Sequence, residues 1–256
     1  MYTGTRPAGP PILELSARDA TEDNPVLIQL SAHPQAQSSS LTSDLLIHVT
    51  QLPMNSSLNR GTYDGRIWRF TSADFGESEL TFPEHTSGTF MIEAEAIDPT
   101  ASLRRVGTQQ FTITPVADAP TMSVVHDPCI CSGMFKFSID SSLLDTDGSE
   151  VLEVIISQLP EGTQLSAGQK SSNGDYVFNS TEQFMIENIL ANFSRVDLNA
   201  LTMIINARAT ETANGDSSIT SATVSVPVCP IVTTPGTYCV YLCSFGVFSY
   251  SLQVIL

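Results

Sequence analysis

The chain is poor in positive charge. Against 27 acidic residues it sets 11 lysines and arginines, of which only Lys136 and Lys170 are lysines, for a formal net charge of −16. A surface of that sign repels phosphate backbones and anionic lipid heads, so nucleic acid is excluded as a partner while divalent cations and cationic partners are not. Residues 1–128 hold no cysteine, and the five in the chain are Cys129, Cys131, Cys229, Cys239 and Cys243. The fold of the first half therefore owes nothing to disulfides, and an odd count leaves at least one thiol unpaired within the chain. Cys129 and Cys131, two apart on an expected strand, point to opposite faces and do not readily bond each other. No pair of CxxC motifs exists to hold zinc, and His33, His48, His85 and His126 are scattered. Nucleophile elbow, His-Glu-x-x-His, phosphate loop and dinucleotide fingerprint are all missing, which points to a non-enzymatic protein. No basic and apolar leader opens the chain: Met1-Tyr2-Thr3-Gly4-Thr5 runs straight into a Pro-rich stretch, as expected of a sequence that starts inside a larger protein.

What is present is enough apolar material for one large or two ordinary cores: 41% of the 256 residues are hydrophobic and 15% charged. Internal repetition decides between them. Pro11-Ile12-Leu13-Glu14-Leu15 and Pro120-Thr121-Met122-Ser123-Val124 each open a unit, at an offset of 109; Gln51-Leu52-Pro53 recurs as Gln158-Leu159-Pro160, at 107. Phe70 recurs as Phe178, at 108, and Glu93-Ala94-Glu95-Ala96 as Asn206-Ala207-Arg208-Ala209, at 113. Within each unit the apolar period is two, as in Phe90-Ile92-Ala94-Ala96 and Phe135-Phe137-Ile139, which marks half-buried strands. Asn59-Arg60-Gly61, Tyr63-Asp64-Gly65, Asn173-Gly174-Asp175 and Asn214-Gly215-Asp216 supply the positive φ of hairpin turns. The one stretch with helical character is Thr181 to Asn192, a turn at most given Asn188 and Asn192. About seven strands per ~110 residues is the arithmetic of an antiparallel β-sandwich. The expected organisation is an all-β chain: an N-terminal linker over 1–10, one sandwich over 11–114, a proline-bounded linker over 115–120, a second sandwich over 121–230, and a hydrophobic tail over 231–256.

Several stretches together resemble the tandem cadherin-like and Ig-like repeats of very large extracellular, biofilm-type surface adhesins. They are Pro115-Val116-Ala117-Asp118-Ala119-Pro120, Asp145-Thr146-Asp147-Gly148-Ser149-Glu150, Gln158 to Ser166, and Ala209 to Asp216. Asp19-Ala20-Thr21-Glu22-Asp23-Asn24-Pro25 resembles the start of the same repeat, so the likeness runs from residue 11 to about 230. The resemblance implies an extracellular or cell-surface spacer, stiffened by Ca2+, whose partners are neighbouring repeats and other cell-surface proteins or glycans. Two departures stand out. Unit 1 has Gln37 to Asp44 where unit 2 has Leu144 to Glu150, keeping one acid, Asp44. Unit 2 has Asp127-Pro128-Cys129-Ile130-Cys131 where unit 1 has Thr21 to Pro25.

Calcium takes six to eight hard oxygen ligands, which acidic loops supply. Asp145, Asp147 and Glu150 are spaced to turn about one point with Gly148 at the bend; without the resemblance the same residues read as an ordinary β-turn. They do not form an EF-hand, because Val154 stands where the bidentate Glu belongs. Asp98 and Glu211 end corresponding strands, and Asp118 lies in the linker, so a junction site drawing on Asp98, Asp118, Asp145 and Asp147 is a second expectation. Glu22 and Asp23 complete the candidate metal ligands.

Three further features bear on function. Asn55-Ser56-Ser57, Asn179-Ser180-Thr181 and Asn192-Phe193-Ser194 are N-glycosylation acceptors in a eukaryotic secretory setting. Trp68, flanked by Tyr63 and Phe70, reads as a core residue, although aromatics exposed in a row would instead signal the alternative, a carbohydrate-binding accessory module of a secreted enzyme. No charged residue follows Asp216, and the 19 residues from Tyr238 span roughly 28 Å as a helix, long enough for a membrane anchor. The tail is nevertheless expected to contribute nothing to either sandwich, since the second unit is complete at Val228.

Overall fold

The computed structural model describes residues 9–35, 44–130, 134–180, 183–192, 200–228, 231–234 and 237–241. The chain divides into two compact units, Met1–Val116 and Ala117–Leu256. Among the described residues neither contains an α-helix, and both are built from strands, as the period-two patterning requires, paired antiparallel except where residues 20–21 run parallel to 113–114.

Unit 1 comprises β1 (Ile12–Ala17), β2 (Ala20–Thr21), β3 (Val26–His33), β4 (Leu46–Gln51), β5 (Ser57–Leu58), β6 (Thr62–Tyr63), β7 (Trp68–Phe70), β8 (Gly76–Thr81), β9 (Gly88–Asp98) and β10 (Leu103–Thr114). One sheet has the order β1-β3-β8-β5, the other β2-β10-β9-β4-β7-β6. Alternate residues of β3 (Val26, Ile28, Leu30, Ala32) face Ile47 and Val49 of β4 and Ile92, Ala94 and Ala96 of β9, all buried in one core. Full burial of each larger aliphatic side chain stabilises the unit by about 1.5–3 kcal/mol.

Unit 2 comprises β11 (Thr121–His126), β12 (Met134–Ser142), β13 (Glu150–Ser157), β14 (Gln164–Leu165), β15 (Gln169–Lys170), β16 (Tyr176–Ser180), β17 (Gln183–Asn192), β18 (Ala200–Glu211) and β19 (Ser217–Pro227). Its sheets have the orders β11-β12-β17-β14 and β15-β16-β13-β18-β19. The segment given helical character from the sequence is strand β17, paired with β12 and β14. The ladder with β12 runs along the strand and that with β14 joins its last two residues, so tertiary pairing overrides the weak local signal.

Central registers coincide in the two units. Ile47 pairs with Ala96 and Val49 with Ala94 in unit 1; Leu152 pairs with Ala209 and Val154 with Ala207 in unit 2. The repeat also preserves a tight approach. A Cβ on Gly61 (φ +80°) would meet the Phe70 ring at 2.8 Å, and one on Gly168 (φ +88°) the Phe178 ring at 2.5 Å. Each glycine thus supplies both a left-handed backbone and room for a buried aromatic.

Among the described residues, strands β20 (Ile231–Thr234) and β21 (Thr237–Tyr241) pair only with each other and join neither sandwich sheet. The rest of the expected membrane-anchor segment, residues 242–256, lies outside the described residues, among which no helix is long and apolar enough to cross a membrane. Cys129 is disulfide-bonded. The other four cysteine side chains lie outside the described residues.

Candidate metal centre

In unit 2 the pairing of β13 with β18 sets the first residue of one strand, Glu150, directly opposite the last residue of the other, Glu211. Like charges directly opposite in an antiparallel pair repel, and here both are buried, at 2% and 1% exposure. The loop into β13 adds Asp145, also buried, and Asp147. This loop is shaped by its own acids: Asp145 Oδ1 accepts the Asp147 N–H at 2.9 Å and Asp147 Oδ1 the Ser149 N–H at 2.7 Å, with Gly148 at φ +91° making the bend. The Ser149 hydroxyl donates toward Asp145 Oδ2 (3.1 Å) and Glu211 Oε1 (3.2 Å), sharing one proton between two carboxylates.

Glu150 and one further acid, Asp216, hold the backbone entering the unit. Glu150 Oε1 accepts the Asp118 N–H at 2.9 Å, and Asp216, from the Asn214-Gly215-Asp216 turn, accepts the Ala117 N–H at 3.0 Å. Glu150 Oε2 and Glu211 Oε2 are buried without a hydrogen-bond partner. No salt bridge among the described residues involves Asp145, Asp147, Glu150 or Glu211.

The electrostatic consequence is clear in sign. Burial, opposed by the Asp118 N–H and reinforced by the charges of Glu211, Asp145 and Asp118, pushes Glu150 up to about 7. Glu211 is raised as well, first by burial and then, against the Ser149 hydroxyl, by Asp145, Asp147 and Asp216. As they stand the oxygens are apart: among the described residues of unit 2, no three ligating atoms from different residues lie within 4.8 Å of one another. A hard divalent cation would supply the positive charge and the partners that both orphaned oxygens lack, and the all-oxygen donor set suits calcium.

No protein-family model matches the chain, and no curated protein does. Solved structures similar to it include the Enterococcus faecalis MSCRAMM ACE, at 12% identity and a TM-score of 0.31, covering 85% of this chain and 94% of that one. Another is Drosophila N-cadherin EC1-4, at 12% and 0.35, covering 86% and 49%. The Yersinia pseudotuberculosis adhesin InvE stands at 11% and 0.30, covering 84% and 60%. Likenesses of this size carry no argument about function.

The remaining sequence candidates lie in unit 1, Asp98 at one end of β10 and Glu22 with Asp23 at the other. Asp98 ends β9 and is 2% exposed, and its Oδ1 accepts the Thr100 and Ala101 N–H groups at 3.0 Å in the turn to β10. Glu22 is buried and accepts the Val116 N–H at 3.0 Å, and Asp23, at φ +58°, accepts the His85 N–H at 3.0 Å. Asp98 pairs with Leu103, where β10 begins, while the Glu22 N–H bonds to Thr114, where β10 ends. Twelve extended residues separate these ends by roughly 35 Å. Within unit 1, β10 carries the chain the length of the sheet before it leaves the unit, so Asp98 sits at the end away from residues 115–116. Sequence reasoning also passed over Asp216 and Ser149, although the turn carrying Asp216 was legible as one.

Proposed function

We propose that the chain is a pair of extracellular adhesion-type β-sandwich repeats acting as a spacer in a larger cell-surface protein, and that unit 2 binds Ca2+ through Asp145, Asp147, Glu150 and Glu211. The observation that carries the calcium reading is the buried, unpartnered oxygen on each of Glu150 and Glu211, placed face to face by the strand register. Burying two uncompensated carboxylates is costly enough that a fold without a counter-ion for them would gain from apolar replacements. Glu150 and Asp216 also hold the Asp118 and Ala117 amides, so a cation here would fix the course of the chain into the unit. That coupling suits a spacer, whose work is to hold a direction.

Calorimetric titration of the chelator-treated chain with Ca2+ tests this reading. Saturable binding is expected, lost in Asp145→Ala with Asp147→Ala and in Glu150→Leu. Absence of heat and of any change in melting, in the intact chain and the variants alike, would remove calcium from the account.

A further inference from the structure

Unit 1 carries an open groove of about 580 Å³ that no part of the calcium reading uses, floored by the end of β4 and the turn after it and walled by the β6–β7 hairpin. In a chain of net charge −16, the groove is lined by no carboxylate, and its one charged side chain is Arg66. Tyr63 is 54% exposed and its ring lies 5.5 Å from that of Trp68, tilted by 34°, so the pair offers an aromatic wall to solvent. Trp68, expected in the core, is half-buried: part of it packs on the core and part lines the groove.

The groove is also preformed. Asp64 accepts the Arg66 and Ile67 N–H groups at 3.0 and 2.9 Å and pairs with Arg69 at 2.7 Å, and these bonds hold its carboxyl down to about 2. Opposite, the Ser56 N–H and hydroxyl both bond the Pro53 carbonyl, fixing the turn that presents Asn55. The side chains of Gln51, Asn55 and Arg66 have no hydrogen-bond partner among the described residues. A rigid aromatic surface beside convergent, uncommitted polar groups is the make-up of a site for an amphipathic ligand with many hydroxyls. Preorganisation lowers the cost of filling it.

We infer that this groove binds an acidic oligosaccharide, one sugar ring lying against Tyr63 and Trp68, its hydroxyls meeting Gln51 and Asn55, and its carboxylate or sulfate paired with Arg66. Charge decides for the acidic class: a lone guanidinium, unopposed within the groove, selects an anion.

Trp68 is the single tryptophan, so its fluorescence reads this site alone. Protein made without N-glycosylation, which leaves Asn55 bare, is titrated with uronate and sulfated oligosaccharides, with neutral oligosaccharides and polyglutamate as controls. At least one acidic oligosaccharide is expected to give a saturable change that weakens with salt. Tyr63→Ala and Arg66→Gln, both at exposed positions, should each weaken it at least tenfold without moving the unfolding midpoint, and chelator should leave it unchanged, which separates this site from the calcium reading. No response to any acidic oligosaccharide, an equal response to neutral ones or to polyglutamate, or full retention in both variants would overturn the inference.

Discussion

The two units solve the same corner of the same sheet in opposite ways. Carrying the β4–β9 register one residue back from Leu46 sets Leu45 opposite Asp98, just as Glu150 faces Glu211 in unit 2. Leu45 is fully buried. At this strand end unit 1 has one buried carboxylate, Asp98, which accepts two turn amides, and it fills the facing place with hydrocarbon. Unit 2 buries two acids face to face and adds Asp145 from the loop. One backbone thus supports either a single buried carboxylate at this end or a cluster of them, and the residue facing the strand end, Leu45 or Glu150, is a central difference.

Exchanging that position gives the largest expected effect. Leu45→Glu would bury a second carboxylate face to face with Asp98, costing unit 1 on the order of 3–5 kcal/mol. Trp68 fluorescence should then report a lower unfolding midpoint, while hydrogen exchange in β13 and β18 stays as it was. The reverse exchange, Glu150→Leu, should stabilise chelator-treated unit 2 and end its response to calcium; a destabilised Glu150→Leu protein would mean that Glu150 serves packing rather than a cation.

The pH response should also divide the units. Glu150 has a folded-state value raised from 4.5 to about 7, so the stability it contributes is complete below about 4.5 and is lost as pH rises through 7. In chelator, unit 2 is expected to lose on the order of 3 kcal/mol between pH 4.5 and 8 from this group alone. Glu150→Leu should flatten that slope. Exchange rates of β18 amides, corrected for intrinsic pH dependence, would show it, and equal slopes in both proteins would count against the buried-carboxylate account.

Adding calcium at pH 8 should reverse the loss. At a hundredfold excess over the dissociation constant the gain is about 2.7 kcal/mol, which for a domain of this size is roughly ten degrees in melting temperature. That gain belongs to unit 2; a matching rise in the Trp68 transition would show that the units do not differ as proposed.

The smallest effect marks where the units should behave alike. Gly61→Ala and Gly168→Ala both force a Cβ into a buried phenylalanine ring at positive φ, at a cost of about 1–3 kcal/mol each. Denaturant midpoints should fall by similar amounts in the two variants. A much smaller loss in one would mean that its aromatic can yield where the other's cannot.

By itself the sequence determined the all-β class, the near-110-residue repeat, the turn glycines and the acidic residues worth watching. Those are local properties: which face a residue takes follows from alternation along its own strand, and a turn follows from the residues that tolerate positive φ. Only the tertiary structure decided what those residues meet. Asp98 and Glu211 end corresponding strands, yet Asp98 satisfies a turn while Glu211 confronts Glu150, because the facing position holds Leu45 in one unit and Glu150 in the other. Residues 183–192 became a strand because two neighbours pair with them. Trp68 became both core and groove wall because the hairpin that carries it stands at the sheet edge, with one side toward hydrocarbon and the other toward water. Register and edge position are set by pairing between residues far apart in the chain, and no local window of the sequence contains both partners.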